Sequence, residues 1–212
     1  MLLKNLIRYI SKDKKNIIIS GISSNSKKIK KNYIFFAIRG KKFNGEKFIK
    51  EAVYKGASVV VCSKSCKIKN LGVPIIKTNK IRHLLSDICA KYYKSKPKNI
   101  IAVTGTNGKT SVSDLFYQIL RINNMRAASI GTLGIKYNDK IIKTNLTSPD
   151  TITLHKNLDY LKKKEINNVI IEASSHGLDQ KRLHHIKFKG AIFTNFSQDH
   201  LDYHKTMKSY LN

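Results

Sequence analysis

At residues 99–105 (NIIAVTG) a run of β-favouring apolar residues ends in a glycine, and at 110–123 a helical apolar rhythm takes over. Between them lies TGTNGKTS. Strand, glycine turn and helix in that order put the backbone amides of a helix start next to a close-approaching loop, which is the setting for an anion. Gly105 and Gly108 allow the backbone to come near the anion. Lys109 reaches toward terminal phosphates, Thr110 offers a hydroxyl to Mg2+, and Thr106, Asn107 and Ser111 complete the loop. The usual phosphate-loop glycine five positions before Gly108 is missing, because Val103 stands there. The loop is therefore a shortened version of the general pattern.

The same alternation runs along the chain. Strand-like runs occur at NIIIS (16–20), YIFFAI (33–38), ASVVVCS (57–63), VPIIKT (73–78), NNVIIEAS (167–174) and GAIFTNF (190–196). Helical stretches are expected near 46–56, stopped by Gly56, and near 81–94, 110–123, 153–164 and 206–212. This predicts an α/β fold: a small N-terminal α/β domain over residues 1–79, then an incomplete phosphate-loop domain built on a parallel sheet over 80–212. A later boundary at 95–99, around Pro97, is the alternative. In the helix after the loop, Leu115, Phe116, Ile119 and Leu120 share one apolar stripe. The closing HKTMKSYLN enters a helix without a cap or further strand, so the chain reads as a fragment.

Charge narrows the function less than its size suggests. The chain carries 41 basic and 13 acidic residues in 212, a net charge of +28. The lysines are scattered among abundant Ile and Asn, Trp is absent and Pro numbers three, a pattern that coding bias explains better than a nucleic-acid surface. No run nears the roughly 18 apolar residues of a membrane span, and the start has no cleavage site of a signal peptide. Cys62, Cys66 and Cys89 are too few and too odd in number for a disulfide framework, which favours the cytoplasm.

Three further segments follow in order: TSPDTITLH (147–155), IEASSHGLDQKRL (171–183) and FTNFSQDHLDYH (193–204). Glu172 sits at the carboxyl end of a core strand, where ligands bind in open α/β sheets, and a hard oxygen there suits Mg2+. Arg182 can fork onto carboxylate or phosphate oxygens. His200 and His204, four apart, also fit a zinc pair, but no cysteine pair accompanies them; His184, His185 and His204 read equally as surface or structural residues, and His176 as ordering the loop after Glu172. With the short GTNGKT loop, the three segments resemble the Mur ligase family. The resemblance implies an ATP- and Mg2+-dependent ligase of peptidoglycan precursor synthesis, a monomer without nucleic acid or membrane partners. It would activate a carboxylate of UDP-MurNAc-L-Ala-D-Glu as an acyl phosphate and join it to a diamino acid, diaminopimelate being favoured over lysine. It further implies Lys109, Glu172 and His200 as catalytic residues, with Thr110, Glu172 and His200 on the metal. Thr147, Ser148, Ser174, Gln180 and Arg182 would contact the muramoyl peptide.

The N-terminal SSNSKKIKKNYIFFAIRGKKFNGEKFI resembles the family's uridine-nucleotide region more weakly, and implies Ser24, Ser26, Lys41, Lys42 and Phe43 as contacts. Asn25-Ser26-Lys27 replaces Asp-Ser-Arg, and a lysine loses the bidentate geometry of arginine. The family's carbamylated lysine and amino-acid-recognising domain would lie beyond Asn212, so the 212 residues alone are expected to have little ligase activity. The rivals are a folylpolyglutamate synthase-like ligase, which should lack EASSHGLDQ, a basic ATPase acting on nucleic acid, and a non-catalytic fragment binding ATP or a UDP-sugar.

Overall fold

The computed structural model describes the chain apart from residues 9, 10, 12, 13, 41, 42, 145 and 212. It forms two compact units, Met1–Tyr92 and Tyr93–Asn212. The division falls later than 79/80 because the helix after the expected boundary belongs to the first unit: Lys91 Nζ donates to the Leu6 carbonyl and Tyr92 Oη to that of Ser20.

The first unit holds a four-stranded, fully parallel sheet: β1 (Gly21–Ser23), β2 (Tyr33–Phe36), β3 (Ala57–Cys62) and β4 (Ile75–Lys77), in that spatial order. Helix α1 (Ile49–Tyr54) links β2 to β3, and α2 (Ile81–Tyr92) closes the unit. Five of the six β3 side chains are buried, as expected of a parallel strand covered on both faces. Gly56 ends α1 at φ 101°, and its amide donates to the Val53 carbonyl, so the stop read in the sequence is real. The run NIIIS is not a sheet strand. Its backbone pairs with the N-terminus, through Leu3 N to Ile17 O and Ile19 N to Met1 O, and β1 starts only at Gly21. A Cβ at Gly21 would lie 2.3 Å from the Tyr33 ring, so only glycine allows that approach.

The second unit is a six-stranded mixed sheet. Its strands are β5 (Asn99–Thr104), β6 (Ala127–Gly131), β7 (Gly134–Tyr137), β8 (Lys140–Ile142), β9 (Asn168–Glu172) and β10 (Gly190–Phe193), in the order β10-β5-β9-β6-β7-β8. The first four in that order are parallel, as expected; β7 and β8 extend the sheet as antiparallel hairpins. Helix α3 (Lys109–Ile122) packs on one face and α4 (Thr151–Lys163) on the other. The α4 side is a dense core of Ile100, Ala102, Ile130, Leu154, Leu158, Leu161, Val169 and Ile171. Asp150 caps α4 by accepting from the amides of Ile152 and Thr153. Helix α3 departs from expectation. Its buried positions are Ser113 and Tyr117, whereas Leu115 and Ile119 of the apolar stripe are 57% and 56% exposed.

Short helices α5 (Ser175–Asp179), α6 (Leu201–His204) and α7 (Met207–Leu211) follow β9 and β10. The chain leaves β5 through α3 toward β6, while β10 lies on β5's opposite side. The crevice beyond the carboxyl ends at β5 is thus a switch point, where open α/β sheets bind ligands.

Candidate functional site

Four strand ends converge on that crevice. The phosphate loop follows β5, Thr132 follows β6, Glu172 ends β9, and Thr194 follows β10. The phosphate loop, Thr132 and Glu172, with Ser174, Ser175, Thr147, His200 and Tyr210, surround a cleft of about 280 Å3, and Thr194 backs the loop from outside it. Gly105 (φ 133°) and Gly108 (φ 82°) occupy backbone regions that favour glycine. A Cβ on Gly105 would come within 2.1 Å of Thr194 Oγ1, so the loop lies hard against the strand beside it.

Lys109 opens α3 and folds over the loop, donating to the carbonyls of Gly105 (2.5 Å) and Thr106 (2.8 Å). Burial draws its ammonium below its ordinary range, and the nearby charges of Glu172 and Asp199 pull in the opposite direction. Glu172 is buried, yet its carboxylate is satisfied. Thr110 Oγ1 donates to Oε2 at 2.9 Å, Thr132 Oγ1 to Oε2 at 3.1 Å, and the Thr132 amide to Oε1 at 3.0 Å. A Cβ on Gly131 would stand 1.9 Å from Oε1, so a glycine makes room for the carboxylate. Thr132 Oγ1 also lies 3.1 Å from Thr147 Oγ1, whose hydroxyl can donate to it, and this brings the TSPD segment to the mouth of the cleft.

Sequence reasoning missed the residues that shape the loop. Asn195 accepts two of its amides, Thr106 N on the main-chain oxygen (3.0 Å) and Asn107 N on Oδ1 (2.9 Å). Thr194 Oγ1 donates to Asn107 O at 2.6 Å, and the Ser197 amide donates to Thr106 Oγ1 at 3.0 Å. The available signal was position: TNF follows GAIF directly, at a strand's carboxyl end. Thr132 was also missed, because the strand before it was not recognised.

The expected peptide contacts divide. Thr147 and Ser174 line the cleft. Ser148 is fully buried and its hydroxyl is turned inward, donating to Glu172 O (2.7 Å) and accepting from the Ser174 amide (2.9 Å). Arg182 Nη1 donates to Ser148 O at 2.7 Å, and its Nε and Nη2 donate to Gln180 Oε1. These two therefore tie 147–148 to the end of α5. Tyr203 Oη extends the tie, donating to Asp179 Oδ2 at 2.6 Å.

His200 lines the cleft in the left-handed region (φ 53°), its amide donating to Asp199 Oδ1. Its ring lies 4.9 Å from that of His176, which stacks on Tyr203 at 4.0 Å and is 5.7 Å from buried His204. Burial lowers the pKa of His176, and the adjacent His200 and His204 act in the same direction. Among the described residues no group of three His, Cys, Asp or Glu side chains is arranged to hold a metal ion. One carboxylate beside two hydroxyls instead suits Mg2+ carried in on phosphate oxygens, since that ion binds through few protein ligands and keeps other oxygens.

In the first unit, Ser24 and Phe43 are exposed, and Ser26 is buried with its hydroxyl donating to Glu51 Oε2. Lys41 and Lys42 lie outside the described residues. The turn before α1 is braced by Glu46. Burial alone would raise its carboxyl, but hydrogen bonds from Ser63 and Arg39 hold it below its ordinary range. Cys62, Cys66 and Cys89 are buried and form no disulfide. Among the described residues no helix is long and apolar enough to cross a membrane.

Residues 103–212 match the Mur ligase middle domain, and residues 18–93 match the Mur ligase family catalytic domain. The chain is 41% identical to the UDP-N-acetylmuramoyl-L-alanyl-D-glutamate–2,6-diaminopimelate ligase of Aquifex aeolicus, over 91% of this chain and 40% of the relative. It is 40% identical to the enzyme of that name from Wigglesworthia glossinidia brevipalpis, over 98% and 43%. A solved structure of a ligase so named superposes with TM-score 0.85 at 28% identity, over 99% of this chain and 43% of that one. MurF from Thermotoga maritima in complex with ADP shares the fold, with TM-score 0.60 at 20% identity over 90% and 40%. The chain spans about two-fifths of the length of the curated relatives it matches.

Proposed function

The chain belongs to the Mur ligase family, and from that premise we propose that the Lys109 cleft binds ATP for an amide-forming ligase acting on UDP-MurNAc-L-Ala-D-Glu and diaminopimelate. The observation that carries this reading is the convergence of Lys109, Thr110 and Glu172 at the carboxyl end of parallel strands, at the start of α3. Lys109 swings from the Gly105 and Thr106 carbonyls to the β- and γ-phosphates, where its charge and the first amides of α3 hold the nucleotide. Thr110 and Glu172 offer a hydroxyl and a carboxylate to Mg2+, and His200 lines the same cleft. Bound Mg2+ neutralises negative charge on the β- and γ-phosphates.

In the whole enzyme the D-glutamyl carboxylate takes the γ-phosphoryl group to give an acyl phosphate and ADP. The amine of the diamino acid then displaces phosphate and forms the amide. The residues of this chain position and stabilise charge in that sequence, as expected of phosphoryl transfer. Thr147 and Ser174 face the peptide, while Gln180 stands behind them as the acceptor of Arg182. Ser148 and Arg182 act by holding that wall, since their polar atoms are engaged within it. The uridine end falls to the first unit, with Ser24 and Phe43 exposed for it and Lys41 and Lys42 as charged contacts.

Calorimetric titration of MgATP and of UDP-MurNAc-L-Ala-D-Glu into the chain and into Lys109→Ala tests the assignment. The wild type should bind both, and the variant should bind MgATP at least tenfold more weakly with the muramoyl dipeptide unaffected. A wild-type chain that binds neither sinks the reading.

A further inference from the structure

The excess of positive charge is not shared evenly between the two units. Met1–Tyr92 holds 22 basic and 4 acidic residues, a net +18, whereas the longer Tyr93–Asn212 holds 19 and 9, a net +10. A compositional bias alone would load the longer unit more heavily. The described acidic groups of the first unit are also engaged already. Glu46 is buried against Arg39 and Ser63, Glu51 accepts from Lys55 Nζ and Ser26 Oγ, and Asp87 accepts from Lys91 Nζ.

Part of that charge is gathered on one face. Helix α1 buries Ile49 and Ala52, and at 3.6 residues per turn its opposite side carries Lys50, Glu51, Tyr54 and Lys55. The segment before β2 runs alongside. Ser26 Oγ donates to Glu51 at one end (3.0 Å), and at the other the Asn32 amide donates to Gly56 O (2.9 Å), where a Cβ on Gly56 would stand 2.9 Å from Lys31 Cα. This segment adds the exposed Lys27, Lys28, Lys30 and Lys31 to the face. Among its described residues, six lysines thus surround one carboxylate, and Tyr54 stands out between them at 92% exposure. Ser24 and Phe43 follow the carboxyl ends of β1 and β2, whereas Lys30 and Lys31 precede β2 and Lys55 precedes β3. The greater part of the face therefore lies away from the expected uridine contacts, toward the other end of the sheet.

We propose that this α1 face docks the chain on an anionic lipid bilayer, with Lys28, Lys30, Lys31 and Lys50 over the headgroups and the Tyr54 ring in the interfacial layer. The kind of cation decides the partner. All six are lysines, compact hydrated charges that suit a diffuse negative surface potential, and no arginine fork or side-chain amide pair is set to read base edges. An aromatic ring with a polar tip, flanked by lysines, is the residue that a membrane interface accepts. The attachment is peripheral, electrostatic and reversible. It runs counter to the expectation of no membrane partner drawn from the family resemblance, and it stands or falls independently of the Lys109 cleft.

Co-sedimentation with phosphatidylcholine vesicles containing about 30% phosphatidylglycerol tests it. The chain should bind these at least about tenfold more tightly than vesicles of phosphatidylcholine alone. Raising salt from about 0.1 M to about 1 M shortens the screening length from about 10 Å to about 3 Å and should remove most of that preference. Lys28→Gln, Lys30→Gln, Lys31→Gln and Lys50→Gln together should weaken binding at least about tenfold, and Tyr54→Ser about threefold. Lys140→Gln, Lys143→Gln, Lys156→Gln and Lys187→Gln together remove the same charge from exposed positions of the second unit and should change binding less than about twofold. Amide exchange of β2 and β3, and of β5 and β9, checks that each variant is folded. The proposal is overturned by equal binding to the two kinds of vesicle, by Tyr54→Ser binding as the wild type does, or by equal losses in the two quadruple variants, which would make total charge the cause. Tighter binding to a short single-stranded RNA through the same four lysines would also overturn it.

Discussion

Acidification from pH 7 to pH 5 should destabilise the second unit, and His155 is the group to blame. It is fully buried on α4 with neither ring nitrogen hydrogen-bonded, and burial drives its pKa from 6.5 to about 4, helped by the charge of Lys96. Well above pH 6.5 the ring is neutral whether folded or unfolded and contributes no pH dependence. Between 6.5 and 4 the unfolded chain takes up a proton that the folded core refuses, so stability falls as pH falls; below about 4 both states are protonated and the loss is complete. At pH 5 the unfolded ring is almost wholly charged and the folded ring almost wholly neutral, a difference of about 2 kcal/mol, rising to about 3.4 kcal/mol at full protonation. That is a large share of the about 5–15 kcal/mol typical of a domain. Native-state hydrogen exchange of the β5 and β9 amides at pH 7 and pH 5, in wild type and His155→Leu, measures it. The carboxylates and His176 titrate in both proteins and cancel in the comparison. The wild type should lose about 2 kcal/mol more than the variant between the two pH values. Equal losses would refute the claim that His155 remains neutral in the folded core.

Asn195→Ala removes the Oδ1 acceptor of the Asn107 amide, so that amide should exchange faster and MgATP should bind about fivefold more weakly, at about 1 kcal/mol for one hydrogen bond and its ordering effect. Unchanged exchange at Asn107 would show that the main-chain contact alone fixes the loop. Gly131→Ala forces a methyl into the Glu172 carboxylate and should cost about 1–3 kcal/mol by overpacking, read as a lower Tm. The same variant should lose the Mg2+-dependent part of ATP affinity while keeping the part measured in EDTA. Mg2+ titrated alone should show no saturable binding to the wild-type chain, since the cleft supplies one carboxylate; a tight nucleotide-free site would contradict the geometry.

Much of the site was legible because its chemistry is local. Gly105, Gly108, Lys109 and Thr110 are consecutive in the turn, and Glu172 is marked by its place at the end of an apolar strand. The misses have physical causes. NIIIS has a strand's composition, but its backbone partners are the first three residues, which no pattern within the run reveals. The β6–β8 segment hid its hairpin from an apolar count, although Asn138 and Asp139, both at positive φ, are the residues a tight reversed turn favours. Ser148 was expected at the peptide from the resemblance of TSPDTITLH alone, which does not say where its hydroxyl points. Only the tertiary structure shows its hydroxyl turned toward Glu172 O and the Ser174 amide. The α3 stripe was correctly periodic, yet periodicity cannot say whether an apolar flank has a neighbour.

The contacts of Asn195 with the phosphate loop bear on the order in which the molecule comes together. The Asn107 amide and Asn195 are 88 residues apart in sequence, and they meet only because β10 has paired with β5. Closing so long a segment is entropically slow compared with forming α3 or the β7–β8 turn. The phosphate loop therefore matures late, after the strand that precedes Asn195 has docked. A nucleotide selective for the finished loop finds no binding site in early intermediates, so it should slow unfolding while leaving the rate of folding almost untouched.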